Sequence, residues 1–209
     1  MTIMHHPSDE ALASFASGTL DEARSVVLAA HVSLCARCRD TLAALEQCGG
    51  ELVEHASPAV LRADALDAAL SRIGEAPPPP SARRTKADYP DVLGPYDVGQ
   101  WRWIGRGLYW RKADVPSTDG TRVFMLKAAP GSSMPHHGHS GFEWTCILQG
   151  AFRHDLGRYG PGDFDEADGS VEHNPFVEQG DSCICLVALQ GTLELRGWIG
   201  KLLQPFVRL

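Results

Sequence analysis

Histidine and cysteine carry the chemistry in this 209-residue chain, which has 9 His and 6 Cys. His31-x3-Cys35-x2-Cys38 sets one imidazole and two thiols within eight residues. Zinc takes four soft-to-borderline ligands in a tetrahedron, and three are supplied here locally. The fourth must come from elsewhere: His5 and His6 lie upstream, Cys48 and His55 downstream. A closed site of four protein ligands is structural, and its binding free energy is folding free energy. A second group lies at residues 131–150, GSSMPHHGHSGFEWTCILQG. On an extended strand residues i and i+2 share a side, so His137 and His139 can point the same way. Glu143 then arrives after a turn at Ser140–Gly141. Further on, Cys183-x-Cys185 places two thiols on one side of an expected strand, which suits oxidant sensing as well as plain burial.

The elements that must position these groups divide into two kinds. Residues 1–75 hold 5 Arg, no Lys and 11 acidic residues, a net of −6 out of −7 for the whole chain. Their pattern is helical. Ser8 caps a helix stopped by Gly18; Thr19 and Glu22 form a capping box for a second helix running toward His31. A third begins near Cys35–Cys38 and stops at Gly49–Gly50. A turn at Val32–Leu34 would let the three ligands converge. Pro58 can open a fourth helix with Val60, Leu61, Leu66, Ala69, Leu70 and Ile73 as an apolar stripe, serving either as core or as a surface for a partner. So small a helical unit has a thin core and often needs a metal. The four consecutive prolines within residues 76–90 read as part of an extended spacer. Residues 91–209 replace this pattern with Gly-separated β runs at Arg122–Leu126, Glu143–Leu148, Cys183–Leu189 and Thr192–Leu195, as in an antiparallel barrel or sandwich. The tryptophans, Trp101, Trp103 and Trp144 among them, are expected in its core. His136 and His154 read as ordinary polar residues.

Composition excludes several classes. At 44% hydrophobic and 22% charged the chain is globular. No apolar run approaches the roughly 18 residues of a membrane span. No secretory signal is visible in MTIMHHPSDE, so a cytoplasmic protein is expected and disulfides are the weaker use of its cysteines. A net of −7 argues against direct nucleic-acid binding. A zinc-dependent DNA-binding module is disfavoured further by ligand spacing unlike that of a C2H2 finger. The missing βαβ pattern disfavours a thioredoxin-like pair.

The first cluster resembles the zinc-binding anti-sigma domain of bacteria, in which an upstream His is the fourth ligand; His6 matches best by position, with His5 its neighbour. Gly131, His137, His139, Glu143 and Gly150 are similar to the first cupin motif. The family's spacing from Gly162 then lands on His173 as a further ligand, although Asp168, Ser170 and Val177 replace the second motif's usual Pro, Gly and Asn. Three His and one carboxylate suit zinc or another divalent transition metal. Together the halves resemble the ChrR-type anti-sigma factors. That resemblance implies two domains. An all-α zinc-binding domain over residues 1–75 would bind an ECF-type (extracytoplasmic-function-like) sigma factor, one to one. An all-β cupin (jelly-roll barrel) over residues 91–209 would be needed to respond to singlet oxygen or a peroxide. The alternative is a metal-dependent cupin enzyme, a dioxygenase or isomerase with a regulatory N-terminal domain. No general base or substrate motif accompanies the ligands, so no catalysis is expected.

Overall fold

The computed structural model describes residues 2–74 and 89–195. Except for Tyr89 and Pro90, the expected spacer at 76–90 lies outside the described residues, as does Trp198. Helix α1 (Asp9–Ala16) opens at Ser8, whose hydroxyl accepts from the Ala11 amide at 3.2 Å, and closes before Gly18 at φ 68°. Helix α2 (Glu22–Leu34) is not capped by the expected Thr19 box. Asp21 takes that place, accepting from Arg24 N at 3.0 Å while also pairing with the Arg24 guanidinium. A carboxylate at the positive helix end outcompetes a hydroxyl, and Thr19 turns to the Ser14 carbonyl.

Helix α3 (Ala36–Glu54) runs through Gly49–Gly50, the stop expected for it. Neither glycine takes the left-handed conformation that ends a helix. The cost of about 1 kcal/mol per glycine is within what a 19-residue helix tolerates. Helix α4 (Ala65–Ser71) starts seven residues later than Pro58 suggested, and its stripe is not core. Val60, Leu61, Leu66, Leu70 and Ile73 are all more than half exposed. No described helix is long and apolar enough to cross a membrane.

The rest is mostly β: β1 (Arg102–Gly105), β2 (Leu108–Ala113), β3 (Arg122–Ala128), β4 (His137–His139), β5 (Glu143–Gln149), β6 (Phe152–His154), β7 (Gly157–Tyr159), β8 (Phe164–Ala167), β9 (Phe176–Val177), β10 (Cys183–Leu189) and β11 (Leu193–Leu195). They form an antiparallel six-stranded sheet in the order β1-β2-β3-β10-β5-β8, a β11-β4 pair and a β7-β6-β9 sheet. Strand β10 shows how the parts join. Cys183, Cys185, Val187 and Leu189 face an inner cluster with Phe152 and Val177, while Leu186 and Ala188 join the cluster that contains Val27 and Leu28 of α2. Buried on both faces, β10 reads as a continuous apolar run. The helices therefore pack directly on the sheet. Trp144 is in this shared core, but Trp103 is 67% exposed on β1, contrary to the expectation for the tryptophans.

Candidate metal centres

The two helices that carry the first cluster meet at a single residue. Cys35 ends α2 and begins α3 in an extended conformation (φ −101°, ψ 109°), with its amide bonded to the His31 carbonyl at 2.9 Å. No separate turn at Val32–Leu34 intervenes; α2 stays helical to Leu34. His31 on the last turn of α2, Cys38 on the first turn of α3 and His6 before α1 then converge with Cys35. His31 Nε2 lies 3.2 Å from Cys38 Sγ, and His6 Nδ1 lies 3.4 Å from both sulfurs. Tetrahedral zinc bonds of ~2.0–2.3 Å put ligand atoms roughly 3.3–3.8 Å apart, so the spacing fits the ion. His31, Cys35 and Cys38 are buried and His6 is half-buried. The second ring nitrogen of His31 donates to the Gly162 carbonyl at 2.7 Å, the outer contact that fixes a ligating imidazole. His5 turns away, with Nε2 3.1 Å from the Arg158 carbonyl and its ring stacked on Tyr159. Cys48 and His55 lie exposed on or just beyond α3.

The second cluster is assembled from three stretches of chain. His137 and His139 share a face of β4, Glu143 opens β5 beyond the Ser140–Gly141 turn, and His173 is joined to His137 by two backbone hydrogen bonds of 3.0 Å. The three imidazoles are buried, their centroids 4.5–5.2 Å apart. His137 Nδ1 donates to the Pro135 carbonyl at 2.8 Å, which leaves a lone pair on Nε2 facing His173 Nε2 at 3.0 Å. Two lone pairs at that distance repel unless a proton or a cation lies between them. His139 Nε2 sits 2.9 Å from Glu143 Oε2, while His139 Nδ1 and His173 Nδ1 have no hydrogen-bond partner. Buried polar atoms without partners are costly, and coordination satisfies them. The residues present fit a divalent metal.

Residues 91–192 match the family described as the ChrR cupin-like domain. Over its whole length the chain is 41% identical to anti-sigma-E factor ChrR of Cereibacter sphaeroides, with both proteins covered completely. The chain belongs to the ChrR family of anti-sigma factors. A crystal structure of Rhodobacter sphaeroides SigE in complex with the anti-sigma ChrR matches 90% of this chain and all of that one, at 38% identity and a TM-score of 0.76.

In this ChrR-family chain burial sets the electrostatics of both clusters. Burial lowers His31 to about 4 and, with the neighbouring Cys35, pushes the Cys38 thiol up to about 12. His173 is also lowered to about 4, by burial and then by His137. Burial alone would raise Glu143, but its facing imidazoles, His139 first, hold it at about 2. The adjoining cavity measures about 40 Å³, lined by Glu143, Thr145, Asp165, His173, Cys183 and Cys185 among others. The Cys183 and Cys185 sulfurs are 3.6 Å apart, and the Cys183 contact followed by burial raises the Cys185 thiol.

Two residues beside this site were not legible as such. His154 has its Nε2 3.5 Å from Asp165 Oδ2, and both can approach His173. The Leu156 amide donates to His154 Nδ1, so neutral His154 keeps its proton on Nε2. His154 and Asp165 thus form an outer layer behind His173. The inward alternation of Phe152-x-His154 and of Asp165 on β8 was the available signal. His136, by contrast, stays at the surface near Glu172.

Proposed function

We propose that this chain is an anti-sigma factor that sequesters an ECF-type sigma factor in a 1:1 complex in the cytoplasm. Residues 1–75 form the sigma-binding domain and hold zinc through His6, His31, Cys35 and Cys38. Residues 91–209 form a jelly-roll cupin that holds zinc or another divalent metal through His137, His139, Glu143 and His173. This domain is needed for release of sigma under oxidative stress, by singlet oxygen or a peroxide. The observation that carries the reading is full-length identity of 41% to an anti-sigma factor. The exposed apolar stripe of α4 and the −6 charge of the helical part add a surface suited to a basic protein partner.

The rival reading, a cupin enzyme, meets a cavity of about 40 Å³. That admits an ion with a few waters, and small-molecule sites usually measure ~300–1,000 Å³. When bound, the cupin metal would supply a Lewis-acidic centre, and the surrounding residues would exclude all but small oxidants.

Co-expression with an ECF-type sigma factor of its own genome tests the reading by size-exclusion chromatography and in vitro transcription. A 1:1 complex with blocked transcription is expected, weakened by Leu66→Asp with Leu70→Asp. Full transcription in the presence of the intact protein would overturn it.

A further inference from the structure

The two clusters meet across one short stretch of chain, residues 159–166. Its zinc-facing contacts are consecutive. The Gly162 carbonyl takes the outer nitrogen of His31. Asp163 Oδ1 accepts the Met4 and His5 amides at 2.7 and 2.9 Å, immediately before His6, while its Oδ2 accepts from Gly160 N at 2.7 Å. Phe164 N donates to the His5 carbonyl at 3.1 Å, and the Phe164 ring stands edge-on to His31. Glu166 accepts from the amide and hydroxyl of Ser8, the cap of α1. Gly162 is the residue this approach demands: its φ is +89°, and a Cβ there would lie 2.5 Å from Ile3 Cδ1. Apart from Gly160, which lies within the stretch itself, every one of these partners is a zinc-cluster residue or lies within three residues of one.

The same stretch faces the cupin cluster with its other side. Alternation on β8 turns Asp165 inward, toward His154 and His173. A line of ring contacts runs beside it: His5 stacks on Tyr159 at 4.1 Å, Tyr159 stacks on His154 at 4.9 Å, and His154 stands edge-on to His173 at 5.2 Å. His5 is bonded in sequence to one proposed zinc ligand, and His173 is itself a proposed cupin ligand.

We propose that residues 159–166, with the His5–Tyr159–His154 stack, couple the two metal centres, so that loss or change of metal in the cupin loosens the zinc site. The grip on residues 4–8 holds His6 in place, and a shift of His173 and Asp165 reaches it through Tyr159 and the β8 backbone. Interiors packed this closely transmit displacement rather than absorb it. Coupling between two sites is a free energy and is reciprocal, and typical values correspond to ~5–150-fold changes in affinity. The proposal rests on reading both clusters as metal centres and deepens the assignment of the cupin as the responding domain.

The test uses the full-length protein without sigma. Metal analysis of the wild type comes first: fewer than two metals per chain overturns the metal-centre reading and the coupling with it. Zinc release from the Cys35–Cys38 site to a chromophoric chelator is then compared between wild type and His139→Ala, which empties the cupin. Release at least about 5-fold faster in His139→Ala is expected, with faster amide exchange at Met4 and His5. Tyr159→Leu and, separately, Asp163→Asn should retain zinc but abolish the difference between loaded and emptied cupin. Two metals per chain with equal release rates would overturn the coupling alone. So would a difference that persists in both interface variants.

Discussion

Replacing Cys38 with Ala tests the zinc site at its most connected atom. Cys38 is 2% exposed, and its sulfur lies within 3.4 Å of both His31 Nε2 and His6 Nδ1. Structural zinc is worth about 10–16 kcal/mol in small domains at neutral pH, so one ligand in four carries roughly 2.5–4 kcal/mol. That corresponds to about a 100- to 1,000-fold loss of zinc affinity. Removal also strands two imidazole nitrogens in the site, at about 1–3 kcal/mol for each one that stays buried. The helical part has little with which to absorb this, since its largest fully buried apolar side chains are Val27 and Leu28. Competition against a chromophoric chelator reads the affinity. Helix content by far-UV dichroism reads the fold of residues 1–75, and tryptophan fluorescence follows the other half, because all five Trp lie beyond residue 100. Cys38→Ala should lose zinc, helix content and sigma inhibition together, while the exposed Cys48→Ala changes none of them. Zinc affinity within about 3-fold of wild type in Cys38→Ala would refute the ligand assignment.

His6→Ala should lower zinc affinity by a similar factor, whereas His5→Ala should hold zinc as the wild type does; equal losses on metal titration would reject His6 as the fourth ligand. Glu143→Gln should reduce the cupin metal content while leaving sigma inhibition intact and blunting oxidant-induced release; release at the wild-type rate would detach the cupin site from the response. Acid should destabilise the chelator-treated protein. His173 is held neutral down to about 4 in the fold, against about 6.5 in the unfolded chain. The unfolded chain thus binds more protons between those values, so the stability tied to this ring is complete above about pH 6.5 and is lost as pH falls toward 4. Denaturant midpoints should decline across that window and level off below it, and a flat profile would contradict the burial argument.

Both candidate clusters were legible because most of each is local. Helix and strand periods alone bring His31, Cys35 and Cys38 together, and place His137 beside His139. The candidate ligands remote in sequence, His6 and His173, required a family's spacing, since nothing in a single chain says which distant loop returns to a site. Energetic competition defeated the expectations for element boundaries. Thr19 lost its cap to a charged neighbour, Asp21, and two glycines failed to stop α3. The α4 stripe has the periodicity of a core helix but finds no partner among the described residues, since periodicity reports amphipathicity and not what covers it.

The seam between the halves was the least legible feature, and the reason is physical. Residues 160–166, GPGDFDE, look like an ordinary turn leading into a strand. Their significance comes from backbone groups more than from side-chain types: the Gly162 carbonyl, the Phe164 amide, and the Met4 and His5 amides gathered by one carboxylate. Backbone donors and acceptors are common to every residue, so composition carries no record of where they are used. A proposed zinc ligand whose outer hydrogen bond comes from the other half of the molecule cannot be wholly indifferent to that half. That single contact, His31 to Gly162, already requires that residues 1–75 taken alone differ from the same residues in the full chain. The difference should be smallest in sigma affinity, which the exposed α4 face is proposed to serve, and largest in the rate at which zinc is lost.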